Sequence, residues 1–91
     1  MYKQIVLPVV IAGSMFAGIA MAGPECTDQS QENWIPVADM QKKLLEDGFV
    51  IDRFKIDDTC YEIYGRNAKN EKVEIYFNPV NGEIVKQEIE S

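Results

Sequence analysis

Fifteen acidic residues and no histidine set the terms for any chemistry this 91-residue chain can perform. Without imidazole, the commonest general base and metal ligand is missing, so carboxylates are the first candidates. Glu62 lies in the run Cys60-Tyr61-Glu62-Ile63-Tyr64, and Glu74 in Val73-Glu74-Ile75-Tyr76-Phe77. Both runs alternate, so on neighbouring strands the two acids share a face with Tyr64 and Tyr76. A carboxyl pair serves glycoside hydrolysis only where a cleft holds the sugar between the two groups, and a chain this short offers little concavity. The expectation is therefore solvated acids, paired with Lys72 or Arg66, and no catalytic residue. Glu62, Tyr64, Glu74 and Tyr76 form a candidate contact face for another chain, with the strand edges as the second candidate surface.

The other chemistries fare no better. Asp57-Asp58 lacks both a neighbouring histidine and the Asp-x-Asp-x-Asp-Gly spacing of a calcium loop, so it reads as a turn and not as a metal site. Ser30 and Ser91 fall in polar ends, where a nucleophile has no base. No glycine-rich phosphate loop is present, and Asn81-Gly82 reads as a turn. The chain is expected to be no enzyme, with no cofactor and no metal.

The two cysteines, Cys26 and Cys60, point to compartment instead. Residues 1–22 read as a signal peptide: Lys3 in a short polar start, an apolar stretch from Ile5 to Met21, and Ala20-Met21-Ala22 as a small-residue cleavage end before Gly23. The competing reading is a retained anchor, but Pro8, Gly13 and Gly18 interrupt the run. A periplasmic or secreted protein, cleaved near Ala22 and without a membrane segment in its mature form, is the expectation. In that setting a Cys26–Cys60 disulfide is the simplest use of two distant thiols, and a Cys-x-x-Cys redox site is absent. The whole chain carries −6 at pH 7, and losing Lys3 makes the remainder more acidic. That balance disfavours nucleic acid and anionic membranes as partners.

The elements that position these residues follow from periodicity. Residues 23–33 are polar and aperiodic, hence a tail or linker. Trp34-Ile35-Pro36 marks entry to a helix over 36–47, with Pro36 in its first turn, Val37, Met40, Leu44 and Leu45 as one apolar stripe, and Gly48 as a left-handed cap. Trp34 is expected to be a lid on the core. Strands are predicted over 50–56, 59–65, 72–78 and 83–89, with Asn78-Pro79-Val80-Asn81-Gly82 as the last turn. The fold class is α+β: one N-terminal helix packed on a three- to four-stranded antiparallel sheet.

Trp34-Ile35-Pro36, Leu44…Gly48-Phe49, Cys60-Tyr61-Glu62-Ile63 and the run from Val73 through Asn78-Pro79-Val80-Asn81-Gly82-Glu83 to Val85, in that order, resemble the PepSY domain, most closely its second type in small exported bacterial proteins. The resemblance spans about Cys26 to Ile89 and places the domain at 34–91, with Cys26 stapled to it. It implies a helix on an antiparallel sheet, an exported setting and no active-site residues. It also implies a protein partner, since PepSY domains occur in propeptides of secreted metallopeptidases and are proposed to regulate peptidases. The expected function is an exported, non-catalytic binding or regulatory module acting on a peptidase or another envelope protein. The alternative is a periplasmic small-ligand or cation-binding protein using the acidic sheet face.

Overall fold

The computed structural model describes residues 23–90, and the signal-peptide reading of residues 1–22 lies outside them. Chain order is one helix and four strands: α1 (Val37–Glu46), β1 (Val50–Asp57), β2 (Cys60–Arg66), β3 (Lys72–Phe77) and β4 (Ile84–Glu90). The strands form one antiparallel sheet in the order β1-β2-β3-β4, a meander in which each neighbour in sequence is a neighbour in space. The fold is α+β, with the helix on one sheet face.

Alternation decides what that face holds. Tyr61 and Ile63 from β2 and Val73, Ile75 and Phe77 from β3 point toward the helix and are buried, where they meet Met40 and Leu44 of α1. The apolar helical stripe is narrower than its spacing suggested. Met40 and Leu44 are buried, whereas Val37 and Leu45 are exposed, because a single helix on a small sheet covers only the side chains directly beneath it. Pro36 is the residue capping the helix N-terminus and not its first helical residue.

The helix stops as its sequence requires. Gly48 takes φ +97°, its N–H donates to the Leu45 carbonyl at 3.1 Å, and the Phe49 N–H donates to Leu44 at 3.0 Å. That paired return is the Schellman arrangement, and it turns Phe49 back over the core, edge-on to Phe77 at 6.2 Å between ring centroids.

Residues 23–33 are not a tail. They form a strap that begins on the sheet face opposite the helix and ends at the core. The strap is anchored by the Cys26–Cys60 disulfide, with 5.1 Å between Cα atoms, and by the Cys26 N–H donating to Thr59 Oγ1 at 2.8 Å. A 3-10 turn over Gln31–Asn33 then delivers Trp34 to the core. The indole N–H donates to the Gln29 carbonyl at 3.0 Å, and the ring stands edge-on to Tyr61 at 5.3 Å. Trp34 is the lid its position implied. Tyr61 completes the closure by donating its hydroxyl to the Ile35 carbonyl at 2.6 Å, so a core phenol is satisfied.

The turns are built from asparagine. Asn67 Oδ1 accepts from the N–H groups of Lys69 and Glu71, closing the β2–β3 loop. Asn78 Oδ1 accepts from Val80 N–H, and Asn78 N–H donates to the Glu83 carbonyl, closing the β3–β4 loop.

Candidate functional site

The sheet face opposite the helix carries the candidate residues as a square. Register places Glu62 directly across from Tyr76, and Tyr64 directly across from Glu74. The two acids are thus diagonal neighbours, each flanked by both tyrosines. Lys55 of β1 stands opposite Glu62 on one side, and Lys86 of β4 opposite Tyr76 on the other. The four candidates are brought together.

Their exposure differs from the expected solvated pair. Glu62 is wholly buried, while Tyr64, Glu74 and Tyr76 are half-buried. Neither Glu62 oxygen has a hydrogen-bonding partner among the described residues, and the nearest cation, Lys55 Nζ, is 3.8 Å away. Glu74 accepts from the Tyr76 hydroxyl at 3.1 Å. The lysines beside the square are Lys55 and Lys86, while the anticipated Lys72 and Arg66 stand opposite each other farther along the same face. The Arg66 guanidinium instead donates to the Asn70 carbonyl. Arg53 lies over the Tyr64 ring at 5.3 Å and Lys86 over Tyr76 at 5.9 Å, so both phenols carry a cation on one side.

The strap meets this face at its Cys60 end, since Cys60 lies two residues before Glu62 on the same side of β2. Gly23 lies against Tyr76 and Asp57: a methyl at Gly23 would sit 2.9 Å from Tyr76 Cε2 and 3.1 Å from Asp57 Oδ2. The Pro24 carbonyl oxygen lies 3.1 Å from Cys60 Sγ, a packing contact and no hydrogen bond, because a disulfide sulfur carries no proton.

Burial separates the two carboxyl groups electrically. Desolvation, with Glu74 adding to it, pushes Glu62 above the usual carboxyl value of 4.5, against the weaker pull of Tyr64 and Lys55. Glu62 in turn holds Glu74 below that value, helped by the Tyr76 phenol. The two carboxyl groups therefore titrate as a pair, Glu62 as the weaker acid and Glu74 as the stronger. The Glu62 carboxyl, with burial, pushes the Tyr64 phenol up to about 12, and burial with Glu62 pushes Tyr76 up as well.

The sign of the pH dependence follows. A folded state that holds a proton the unfolded chain releases near 4.5 loses stability as pH rises from there toward the folded value of Glu62. Glu74 acts oppositely: its contribution is present above 4.5 and is lost as pH falls through its lowered value. Glu62→Gln keeps the size of the buried side chain and removes its ionisation. It should raise the unfolding free energy by about 1–2 kcal/mol at pH 8 and change it little at pH 4. Urea unfolding at the two pH values checks this, and an equal loss at both would refute it.

Among the described residues, no group of three or more His, Cys, Asp or Glu side chains converges as a metal site. Asp57 ends β1 and Asp58 begins the β1–β2 turn, at φ +56°. A shallow depression of about 460 Å³ beside the β2–β3 loop, lined by Arg66, Asn70, Glu71, Lys72, Ile89 and Glu90, includes no member of the square. Among the described residues no helix is long and apolar enough to cross a membrane.

Residues 6–88 match the family model PepSY_2, described as peptidase propeptide and YPEB domain. The chain belongs to the PepSY family. No curated protein and no solved structure matches it. The PepSY family is associated with peptidase propeptides and their regulation, and the α+β fold and the Cys26–Cys60 disulfide described above are the frame in which this member presents its outer sheet face.

Proposed function

We propose that this PepSY domain is an exported, non-catalytic regulatory module that binds a peptidase or another envelope protein in trans. The observation that carries the reading is the family match across residues 6–88 to a domain described by its place in peptidase propeptides. Export is part of the proposal. It is supported by the leader-like composition of residues 1–22 and by a disulfide, which persists in oxidising compartments. The contact surface proposed is the outer sheet face. Tyr64 and Tyr76 offer half-buried aromatic rings with Arg53 and Lys86 beside them, and tyrosine and arginine are among the residue types that dominate interface energetics. Glu62 acts from beneath. Fully buried, it shifts the titration of Glu74 and the phenols from below the contact surface.

The experiment is capture and crosslinking with the tagged protein in its native envelope extract, read by mass spectrometry, together with peptidase assays in its presence. The expected result is enrichment of a peptidase or envelope protein that untagged protein competes away. Replacing both Tyr64 and Tyr76 by alanine should weaken capture about tenfold or more. No specific enrichment and no effect on any secreted metallopeptidase would overturn the reading.

A further inference from the structure

β4 is an edge strand, pairing with β3 on one side only. All seven of its residues are exposed, and none of them joins the buried core cluster with Met40 and Leu44. Ile89 lies beside the core residue Val73 and Ile84 beside Phe77, so the apolar layer under the helix continues past the helix onto β4. Ile84, Val85 and Ile89 are each between two-fifths and about half exposed there. The strand has no proline and no charge on its helix-side face. The opposite edge differs: in β1 the register shifts between Ile51 and Arg53, leaving Asp52 as an extra residue. Bulges and charges protect an edge from pairing. β4 has its own register shift at Val85, at the start of the strand, while its pairing with β3 is regular over 86–90, and its charges Lys86, Glu88 and Glu90 alternate onto the outer face.

The order of residues along β4, Ile84-Val85-Lys86-Gln87-Glu88-Ile89-Glu90, is close to self-complementary. We propose that β4 is a self-association edge, on which a second copy of this chain pairs antiparallel about a two-fold axis at Gln87. In that register Lys86 faces Glu88 of the second copy and Val85 faces its Ile89, each pair occurring twice. Residues directly opposite in an antiparallel pair share a sheet face, so the register can shift only in steps that keep the two faces matched. The register centred on Lys86 sets Lys86 against Lys86, and the one centred on Glu88 sets Glu88 against Glu88 beside two Lys86–Glu90 pairs. The Gln87-centred register is the one of the three in which no like charges face each other. The exposed Lys86–Glu88 contact within one chain, at 3.5 Å, is exchanged for the same contact between chains. The product is one eight-stranded sheet with both helices on the same side and the apolar rows of the two β4 strands joined. The rings of Tyr64 and Tyr76 stay open in both copies, and Lys86, beside Tyr76, borders both surfaces.

Sedimentation velocity of the purified protein over a concentration series tests the proposal. A reversible monomer–dimer equilibrium is expected. Its dissociation constant should rise about tenfold with Lys86→Glu, and likewise with Glu88→Lys. The double exchange restores opposite charges and should recover most of the association, which a general loss of folding would not do. Ile89→Lys should abolish the dimer while circular dichroism stays unchanged. A wild-type protein that sediments as a monomer up to about 1 mM, or a dimer indifferent to both single exchanges, overturns it.

Discussion

Reducing the Cys26–Cys60 disulfide is expected to lower the unfolding free energy by about 4 kcal/mol. The bond joins residues 34 apart in sequence, and the loop it closes removes that much conformational freedom from the unfolded chain on the chain-entropy model. A domain of about 70 residues has roughly 4–10 kcal/mol in total, so the loss is a large share of what holds it together. The location of the bond adds to the effect. Both cysteines are buried, and Cys26 fixes the strap that leads to Trp34. Unfolding by urea with and without reductant, and of the Cys26→Ala/Cys60→Ala protein, should show matching decreases in midpoint. The folded protein contains no free cysteine among its described residues, so thiol titration reports the extent of reduction directly. An unchanged midpoint after complete reduction would mean that the strap holds through Thr59 and Trp34 alone.

The parts of this fold that were legible in advance are those governed by periodicity. Alternation in Cys60–Tyr64 and Val73–Phe77 placed Tyr61, Ile63, Val73, Ile75 and Phe77 on one side, and these are the buried residues of the sheet. Gly48 announced its own cap. Cover is what a sequence does not display. Glu62 and Glu74 alternate identically with their neighbours, yet one is fully buried and the other half-buried. The difference comes from where the strap, the flanking tyrosines and Lys55 lie in space. The strap itself has no hydrophobic period, since a covalent bond and single hydrogen bonds hold it, and it therefore read as a tail. Leu45 misled in the opposite direction: it has the right spacing for the core stripe but too little sheet beneath it. The candidate square was legible as a set of residues; its electrostatics were not, because a buried carboxyl is recognised only by the absence of water around it.

Gly65→Ala is expected to cost about 3 kcal/mol or more, although simple propensity predicts a gain. Alanine is favoured over glycine within a strand by roughly 0.5–1 kcal/mol, since it has less freedom to lose on folding. The geometry at Gly65 reverses that sign. Gly65 pairs with Ile51 at the point where the β1 register shifts. A methyl there would overlap the Val50 carbonyl oxygen and come within 2.9 Å of the carbonyl carbon and 3.2 Å of Ile51 Cα. Those are backbone atoms, so no rotamer change relieves the clash, and β1 must move away from β2. The shift would propagate to the outer face, because the next pair along β2 is Tyr64 with Arg53, the cation over its ring. Urea unfolding should therefore show a lower midpoint, and Tyr64 fluorescence or NMR shifts should change more than those of Tyr76, which lies on β3. A Gly65→Ala protein as stable as wild type would show that β1 yields freely at its bulge, and the register between β1 and β2 would then rest on Phe54 and Ile56 alone.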